Sequence, residues 1–176
     1  MTQVSMPSAC AGTTIPSPAL LVQEPSGVYR PASPQEVIGA ATTLLQRDIS
    51  GSKVLDSPKV VRDFLVCRLG ALAYEMFGIV LLTSQHEVIE VVEMFRGTVD
   101  RTAVYPREVV MEVLTKKAAY VILFHNHPSG CPDKSVSDQA LTCELKKALA
   151  LIDVEVLDHF VIAGARVVSF AENGWI

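Results

Sequence analysis

The sequence has few cysteines, and they are scattered. Cys10, Cys67, Cys131 and Cys143 include no Cys-x-x-Cys pair, whereas cysteine ligands of structural zinc usually occur as closely spaced pairs. We therefore expect free thiols in a reducing compartment and no cysteine zinc site.

Long apolar runs are also absent. The longest, around residues 118–124, has the length of a strand and is too short to span a bilayer. Pro7, Pro16 and Pro18 interrupt an N-terminal region that lacks the basic start and apolar stretch of a signal peptide. These features predict no membrane association and, by default, a cytoplasmic location.

Positive charge is in slight deficit. The formal net charge is -4 and the sequence pI is about 5.5, while nonspecific binding to nucleic acid needs a positive field. The segment from Lys53 to Arg68 mixes basic residues with Asp56 and Asp63, which is typical of a solvated helix face. Nucleic acid is therefore not expected as the main partner, although the net charge does not exclude a local basic patch.

The first part of the chain predicts a tail followed by helices. Residues 1–30 are rich in Ser, Thr, Pro, Ala and Gly and lack apolar periodicity, so we expect a disordered tail. A capping box at Ser33 to Glu36 and a Ser-Pro start at Ser57 predict helices over about 33–48 and 57–69. Residues 31–72 are thus interpreted as a helical lead-in.

From residue 73 to residue 176 the pattern mixes strands and helices. Strands are predicted over about 75–82, 88–95, 120–125, 154–162 and 167–170, and helices over about 106–117 and 135–151. This mixture predicts an α/β domain in which a mixed β-sheet is flanked by helices.

A group of residues able to bind a metal follows the strand at 120–125. Residues two apart on a strand project to the same face, so His125 and His127 can direct two imidazoles at one point. Asp138, about one turn into the next helix, can add a carboxylate. Two imidazoles and one carboxylate leave a fourth tetrahedral position for water, which zinc acidifies to a pKa of roughly 7. The sequence therefore predicts one Zn²⁺ per chain at His125, His127 and Asp138.

Each part of this pattern also has a simpler interpretation. A His-x-His pair alone is more often structural than metal-binding, and Ser135-x-x-Asp138 is also a plausible capping box. The joint pattern of two histidines on one face, a loop and Ser-x-x-Asp is far more specific than any of its parts. We therefore favour the metal site.

The string H-x-H-P-x6-S-x-x-D from His125 to Asp138 resembles the JAMM motif of MPN-domain (JAB-type) zinc metalloproteases. Together with YPREVV at 105–110 and LDHFVI at 157–162, the sequence HNHPSG closely resembles the RadC-like branch. The resemblance covers about residue 75 to the C-terminus and implies the JAMM/MPN sandwich, which is similar to cytidine deaminases. RadC-like proteins generally also have an N-terminal helix-hairpin-helix region, which these first residues do not resemble.

The same resemblance implies catalytic roles for two further residues. JAMM enzymes place a glutamate at the start of a strand similar to the EMFGIV that begins at Glu75, which makes Glu75 the implied general base. Glu108, near a predicted helix start, is a rival that we interpret as structural. Ser135 is implied to stabilise the oxyanion of the reaction, which is compatible with a capping role.

Several neighbours of the motif are given supporting roles. Asn126 and His159 are candidates for contacts with the ligands, and His159 is interpreted as a satisfied core residue, not a ligand. Cys131 is interpreted as a spectator. Lys134 stands where RadC-like sequences commonly have proline, which adds positive charge and could loosen the loop.

The resulting hypothesis is a zinc-dependent hydrolase of peptide or isopeptide bonds. One alternative, implied by the name of the RadC family, is a DNA-repair accessory protein, although neither a helix-turn-helix nor an interleave of aromatic and basic residues is evident. Another is a non-catalytic MPN scaffold, against which the filled ligand positions weigh. The substrate and the oligomeric state stay open at this level.

Overall fold

The computed structural model describes residues 20–50, 58–97, 103–133 and 135–176. The chain divides into two compact units between Val37 and Ile38. The expectations for residues 1–19, for the helix start at Ser57 and for Lys134 lie outside the described residues.

The first unit contains a short hairpin. Strands β1 (Leu21–Gln23) and β2 (Tyr29–Pro31) pair antiparallel, and Gly27, with a φ of 85°, lies in the turn between them. The Arg30 side chain bonds Glu24 at 3.1 Å, which closes the hairpin by an ion pair. The expectation of a disordered tail over residues 1–30 is therefore corrected for these strands, whose pairing rests on a turn and on polar contacts that apolar periodicity does not reveal.

Helix α1 (Pro34–Ile49) begins at the predicted capping box. The Ser33 backbone N–H donates to the Glu36 carboxylate at 2.8 Å, and the Glu36 N–H donates to Ser33 Oγ at 3.3 Å. The hydrogen bond from Arg30, followed by those from Ser33, lowers the pKa of Glu36 to about 2. The predicted start of the first helix is confirmed.

The second unit is built on one five-stranded mixed sheet. Its strands are β3 (Met76–Leu82), β4 (Val88–Arg96), β5 (Tyr120–Asn126), β6 (Glu155–Ala163) and β7 (Arg166–Ser169). Its remaining helices are α2 (Pro58–Leu69), α3 (Pro106–Lys116) and α4 (Val136–Ala150). The strand order is β4-β3-β5-β6-β7; β5 and β6 pair in parallel and the other neighbours antiparallel. The predicted mixed sheet flanked by helices is confirmed and agrees with the JAMM/MPN expectation.

Helices cover both faces of this sheet. One face packs against α2, through the buried residues Phe64, Leu65, Val80, Leu82, Ile122 and Phe124. The other face packs against α3 and α4, through the buried residues Ile79, Leu81, Val109, Val113, Leu123 and Leu145. Because β3 is buried on both faces, its sequence is a continuous apolar run without polar alternation.

Gly78 leaves room for the Phe124 ring near the end of β5. A Cβ atom on Gly78 would lie 2.3 Å from Cζ of Phe124 and 2.4 Å from the Val92 carbonyl oxygen. Only glycine therefore fits beneath the Phe124 ring. The residue that follows Phe124 is His125, so this packing fixes the strand segment that carries the candidate site.

Within the part of the chain that the structure describes, each helix falls short of the length and apolarity that crossing a bilayer would need.

Candidate metal centre

The predicted histidines converge at the end of β5. His125, only 2% exposed, is the last-but-one residue of the strand and pairs with Phe77 of β3. The His127 backbone N–H donates to the Ile162 carbonyl at 2.8 Å, which extends the β5–β6 pairing beyond the strand. The two Nε2 atoms of His125 and His127 lie 2.8 Å apart. Residues two apart therefore direct their rings at one point, as the strand period requires.

Asp138 approaches the same point from the first turn of α4. Its Oδ1 lies 3.4 Å from Nε2 of His125, and its Oδ2 lies 3.6 Å from Nε2 of His127. The same carboxylate accepts from the Ser135 N–H at 2.8 Å, while the Asp138 N–H donates to Ser135 Oγ at 3.0 Å. The capping box and the convergence with the histidines are thus both present, and the cap fixes the direction of the carboxylate.

Glu75 immediately precedes β3 and brings a second carboxylate to the two imidazoles. One ligand atom each from Glu75, His125 and His127 lie within 4.8 Å of one another. The Asn126 side chain holds the residues on either side of Glu75: its Oδ1 accepts from Met76 N–H at 2.8 Å, and its Nδ2 donates to the Tyr74 carbonyl at 3.0 Å. Asn126 thus contacts the site through the backbone on either side of Glu75.

The loop after β5 orients His127. Gly130, with a φ of +74°, adopts a conformation that suits glycine, and its N–H donates to the His127 carbonyl at 3.0 Å. This turn brings the Cys131 carbonyl to 2.8 Å from Nδ1 of His127. The Cys131 thiol itself contacts Asp133 at 3.2 Å, so Cys131 touches the site through its backbone oxygen.

A buried contact that sequence reasoning understated lies behind His125. Nε2 of His159, a fully buried residue, lies 2.8 Å from Nδ1 of His125, and Nδ1 of His159 lies 2.7 Å from Oγ1 of Thr142. Thr142 was missed, although its position four residues after Asp138 places both on one face of α4.

Burial and charge act in opposite directions on the site. Burial, with a smaller contribution from His127, lowers the pKa of His125 to about 4, against the attraction of Asp138. The contact with the Asp138 carboxylate, 3.6 Å away, raises the pKa of His127. Burial opposes ionisation of Asp138, but the nearby rings of His127 and His125 and the hydrogen bond from the Ser135 N–H outweigh it and hold its pKa well below the usual range. The site therefore carries an ionised carboxylate against imidazoles.

This donor set fits a zinc ion. Nδ1 of His127 faces the Cys131 carbonyl, which only accepts, so the neutral ring carries its N–H at Nδ1 and a lone pair at Nε2. Two ring nitrogens 2.8 Å apart, beside a carboxylate, require a proton or a cation between them. Imidazole nitrogen and carboxylate oxygen are the ligands that catalytic zinc uses.

The site opens into a cleft of about 280 Å³. Its lining consists of Glu75, His127, Pro128, Ser129, Ser135, Ser137 and Asp138. Ser135 Oγ lies 2.7 Å from Ser137 Oγ at the mouth. Glu108 lies instead in the first turn of α3, where its carboxylate pairs with Arg107 at 2.8 Å. The structure thus brings Glu75 and Ser135 to the cleft with His127 and Asp138, while Glu108 makes a surface ion pair.

Comparison with known proteins agrees with this architecture. The RadC-like JAB domain family model matches residues 55–175. A UPF0758 protein of Shewanella halifaxensis is 49% identical over 150 residues, which cover 85% of this chain and 67% of the relative. A UPF0758 protein of Shewanella loihica is 50% identical over the same shares of each chain. The resemblance seen in the HNHPSG segment therefore extends over most of the sequence, and the chain belongs to the RadC-like JAB domain family.

Proposed function

We propose that this protein is a zinc-dependent hydrolase of amide bonds, in peptides or isopeptides, with one Zn²⁺ held by His125, His127 and Asp138. The observation that supports it most is the convergence of two imidazoles and a carboxylate, with Glu75 beside them at an open cleft. A structural metal site is closed by four protein ligands, whereas a catalytic one leaves a position open. Three ligands beside a cleft fit the second description.

Glu75 is proposed as the general base. When bound, zinc supplies Lewis acidity and makes a water acidic enough to lose a proton near neutral pH. The Glu75 carboxylate then takes that proton and returns it to the leaving amine. Asp138 is instead proposed as a ligand, because the Ser135 N–H donates to its Oδ2 and holds the carboxylate beside the two imidazoles.

The division of roles between the two carboxylates is the sharpest point of the proposal. Ligand atoms of Glu75, His125 and His127 also lie within 4.8 Å of one another, so the alternative third ligand is Glu75. The capping box favours Asp138, because it holds that carboxylate in place without a metal.

Ser135 is proposed to stabilise the oxyanion. Its Oγ accepts from the Asp138 N–H, so its own proton is available to donate. When Ser137 donates to Ser135 across their 2.7 Å contact, the Ser135 proton can point into the cleft. The hydroxyl thus combines the role of helix cap with that of hydrogen-bond donor to the developing charge.

The partners follow from the reaction. We propose a peptide or protein substrate in the cytoplasm. Neither a DNA-repair accessory role nor a non-catalytic scaffold is favoured by a specific contact among the described residues.

The test compares zinc content and cleavage in the same preparations. Wild type, Asp138→Asn and Glu75→Gln are reconstituted with zinc, dialysed and analysed for metal, then assayed on a peptide library and on isopeptide-linked substrates. We expect about one zinc per wild-type chain, loss of zinc in Asp138→Asn, and retained zinc without cleavage in Glu75→Gln.

Other outcomes separate the parts of the proposal. Wild type that binds no zinc would overturn the metal site. Retention of zinc by Asp138→Asn with its loss in Glu75→Gln would exchange the roles of the two carboxylates. Zinc binding without cleavage of any substrate would support the metal site and contradict the proposed hydrolase activity.

A further inference from the structure

A chain of three buried polar side chains extends from the candidate metal centre into the protein. His125, His159 and Thr142 are 2%, 0% and 3% exposed. Their contacts run from Nδ1 of His125 to Nε2 of His159 at 2.8 Å, and from Nδ1 of His159 to Oγ1 of Thr142 at 2.7 Å. Burying polar groups is costly unless each is hydrogen-bonded, so the position of every proton along this chain matters.

The hydroxyl of Thr142 determines which group donates and which accepts at each contact in this row of side chains. Thr142 Oγ1 lies 2.6 Å from the Asp138 carbonyl oxygen, to which it donates its single proton because a carbonyl only accepts. Towards His159 the hydroxyl must therefore accept, which requires the His159 proton to be on Nδ1.

The protonation of His159 then determines which nitrogen of His125 donates. The His159 ring lies 4.8 Å from the Phe170 ring and 6.1 Å from the Phe77 ring, between centroids, and is steeply inclined to Phe77. Because the ring is fully buried, which disfavours its charged form, it is neutral and carries one N–H. Its Nε2 is then an acceptor, and His125 must donate from Nδ1. The lone pair of His125 is left on Nε2, the atom 2.8 Å from Nε2 of His127.

We propose that Thr142 and His159 are positioning residues that hold His125 in the tautomer whose Nε2 lone pair faces the metal centre. This inference rests on the proposed function, since it assigns the two residues to the preparation of a zinc ligand. On the other side of the centre, the Cys131 carbonyl does the same for His127. Metal-bound histidines usually donate their second ring N–H in this way, although commonly to a carboxylate or a backbone carbonyl.

The same row of hydrogen-bonded side chains links two of the proposed ligands, His125 and Asp138. The Asp138 carboxylate faces the imidazoles, while the Asp138 carbonyl anchors the Thr142 hydroxyl one turn later on α4. The first turn of α4 therefore sets both the position of the carboxylate and, through Thr142 and His159, the proton on His125. A simple space-filling role for His159 would not require this direction.

The test uses a pair of substitutions at Thr142 that separate hydrogen bonding from packing. Thr142→Val keeps the shape and removes the hydroxyl, whereas Thr142→Ser keeps the hydroxyl and removes a methyl group. Histidine ring ¹H–¹⁵N spectra of the zinc-free proteins report the tautomers, and competition with a chromogenic chelator reports zinc affinity.

We expect wild type and Thr142→Ser to show the Nδ1–H tautomer of His125 and similar zinc affinity. Thr142→Val should shift His159 and His125 towards the Nε2–H tautomers and weaken zinc binding by about tenfold to a hundredfold. Thermal unfolding of each variant checks that it is folded. If Thr142→Val does not fold, His159→Gln, whose carbonyl can accept from His125, is compared with His159→Phe in the same two measurements.

Equal tautomers and equal zinc affinities in the Val and Ser variants would overturn the inference, as would Nε2–H on His125 in zinc-free wild type. These results differ from a failure of the proposed function. If wild type binds no zinc, the zinc-free spectra still decide whether Thr142 sets the tautomer. If wild type binds zinc and the two Thr142 variants have equal tautomers and zinc affinities, only the positioning role of Thr142 and His159 is contradicted.

Discussion

The two ends of the β3–β5 pair each carry a histidine, and they differ in how its ring is held. At one end, beyond Leu82, the His86 ring stacks on Tyr120 with 4.4 Å between centroids. At the other end, the His125 ring lies at similar distances from His127 and His159, 4.7 and 4.8 Å between centroids. The distances between ring centroids are therefore similar at both ends. At the second end, however, ring nitrogens of His125 lie 2.8 Å from ring nitrogens of His127 and of His159.

The difference lies in the polar contacts that surround each ring. His86 lies in a surface turn, where the Thr83 hydroxyl accepts from the N–H groups of Gln85 and Glu87 at 3.2 Å each. At the other end the Asn126 amide bonds the backbone on both sides of Glu75, and His159 contacts the His125 ring. A histidine near other rings becomes a candidate ligand when its second nitrogen has a fixed partner.

The largest effect is expected from removing a histidine at each end. His125→Ala should abolish zinc binding, because it removes a proposed ligand, whereas His86→Ala should retain about one zinc per chain. Metal analysis after reconstitution measures both. Equal zinc content in the two variants would show that the ends do not differ in the way proposed.

Next in size is the removal of a carboxylate at each end. Glu75→Gln should lower the rate of peptide cleavage by about 10²- to 10⁴-fold, the usual contribution of a general base, and leave zinc in place. Glu87→Gln, in the turn at the opposite end, should cleave at the wild-type rate. A normal rate in Glu75→Gln would remove Glu75 from the mechanism.

A smaller effect is expected from the side chains that hold each end together. Asn126→Ala leaves the Met76 N–H and the Tyr74 carbonyl without their partner in a buried place, so the free energy of unfolding should fall by about 2–3 kcal/mol. Thr83→Ala removes two hydrogen bonds at an exposed turn, where water replaces them, and should cost less than about 1 kcal/mol. Urea unfolding gives both free energies. Equal losses of stability would contradict the view that the hydrogen bonds of Asn126 stabilise their end of the sheet more than those of Thr83.

The smallest effect concerns the loop that orients His127. Gly130→Ala meets open space but places alanine at a φ of +74°, which should cost about 1 kcal/mol of stability and weaken zinc binding a few-fold as the Cys131 carbonyl shifts. Gly174→Ala, at a φ of +67° and also in open space, is the control with the same backbone cost. Loss of zinc affinity in both variants would indicate a general effect of stability.

Much of the fold could be predicted from local patterns. The apolar run from Met76 to Leu82 indicates a strand buried on both faces, and Ser33 and Ser135 mark helix starts that the structure confirms. The hairpin at 21–31 was not predicted, because three-residue strands closed by an ion pair leave no periodic signal.

From local patterns alone, the candidate site was predictable only where its residues are close in sequence; Glu75 was named through the family resemblance. The period of two placed His125 with His127, and the capping box placed Asp138. The contact of His159 with His125 depends on the register of two parallel strands, in which Leu123 lies opposite His159, and local patterns do not give register. The hydrogen bonds of the Asn126 side chain with Tyr74 and Met76 likewise join residues about fifty positions apart, so local patterns do not predict them.

The most direct test of the central claim is X-ray absorption at the zinc edge of the reconstituted wild-type protein. We expect two imidazole nitrogens and oxygen ligands at about 2.0–2.2 Å, and no sulfur. A sulfur ligand at about 2.3 Å, or a protein that retains no zinc after reconstitution, would contradict a centre formed by His125, His127 and Asp138.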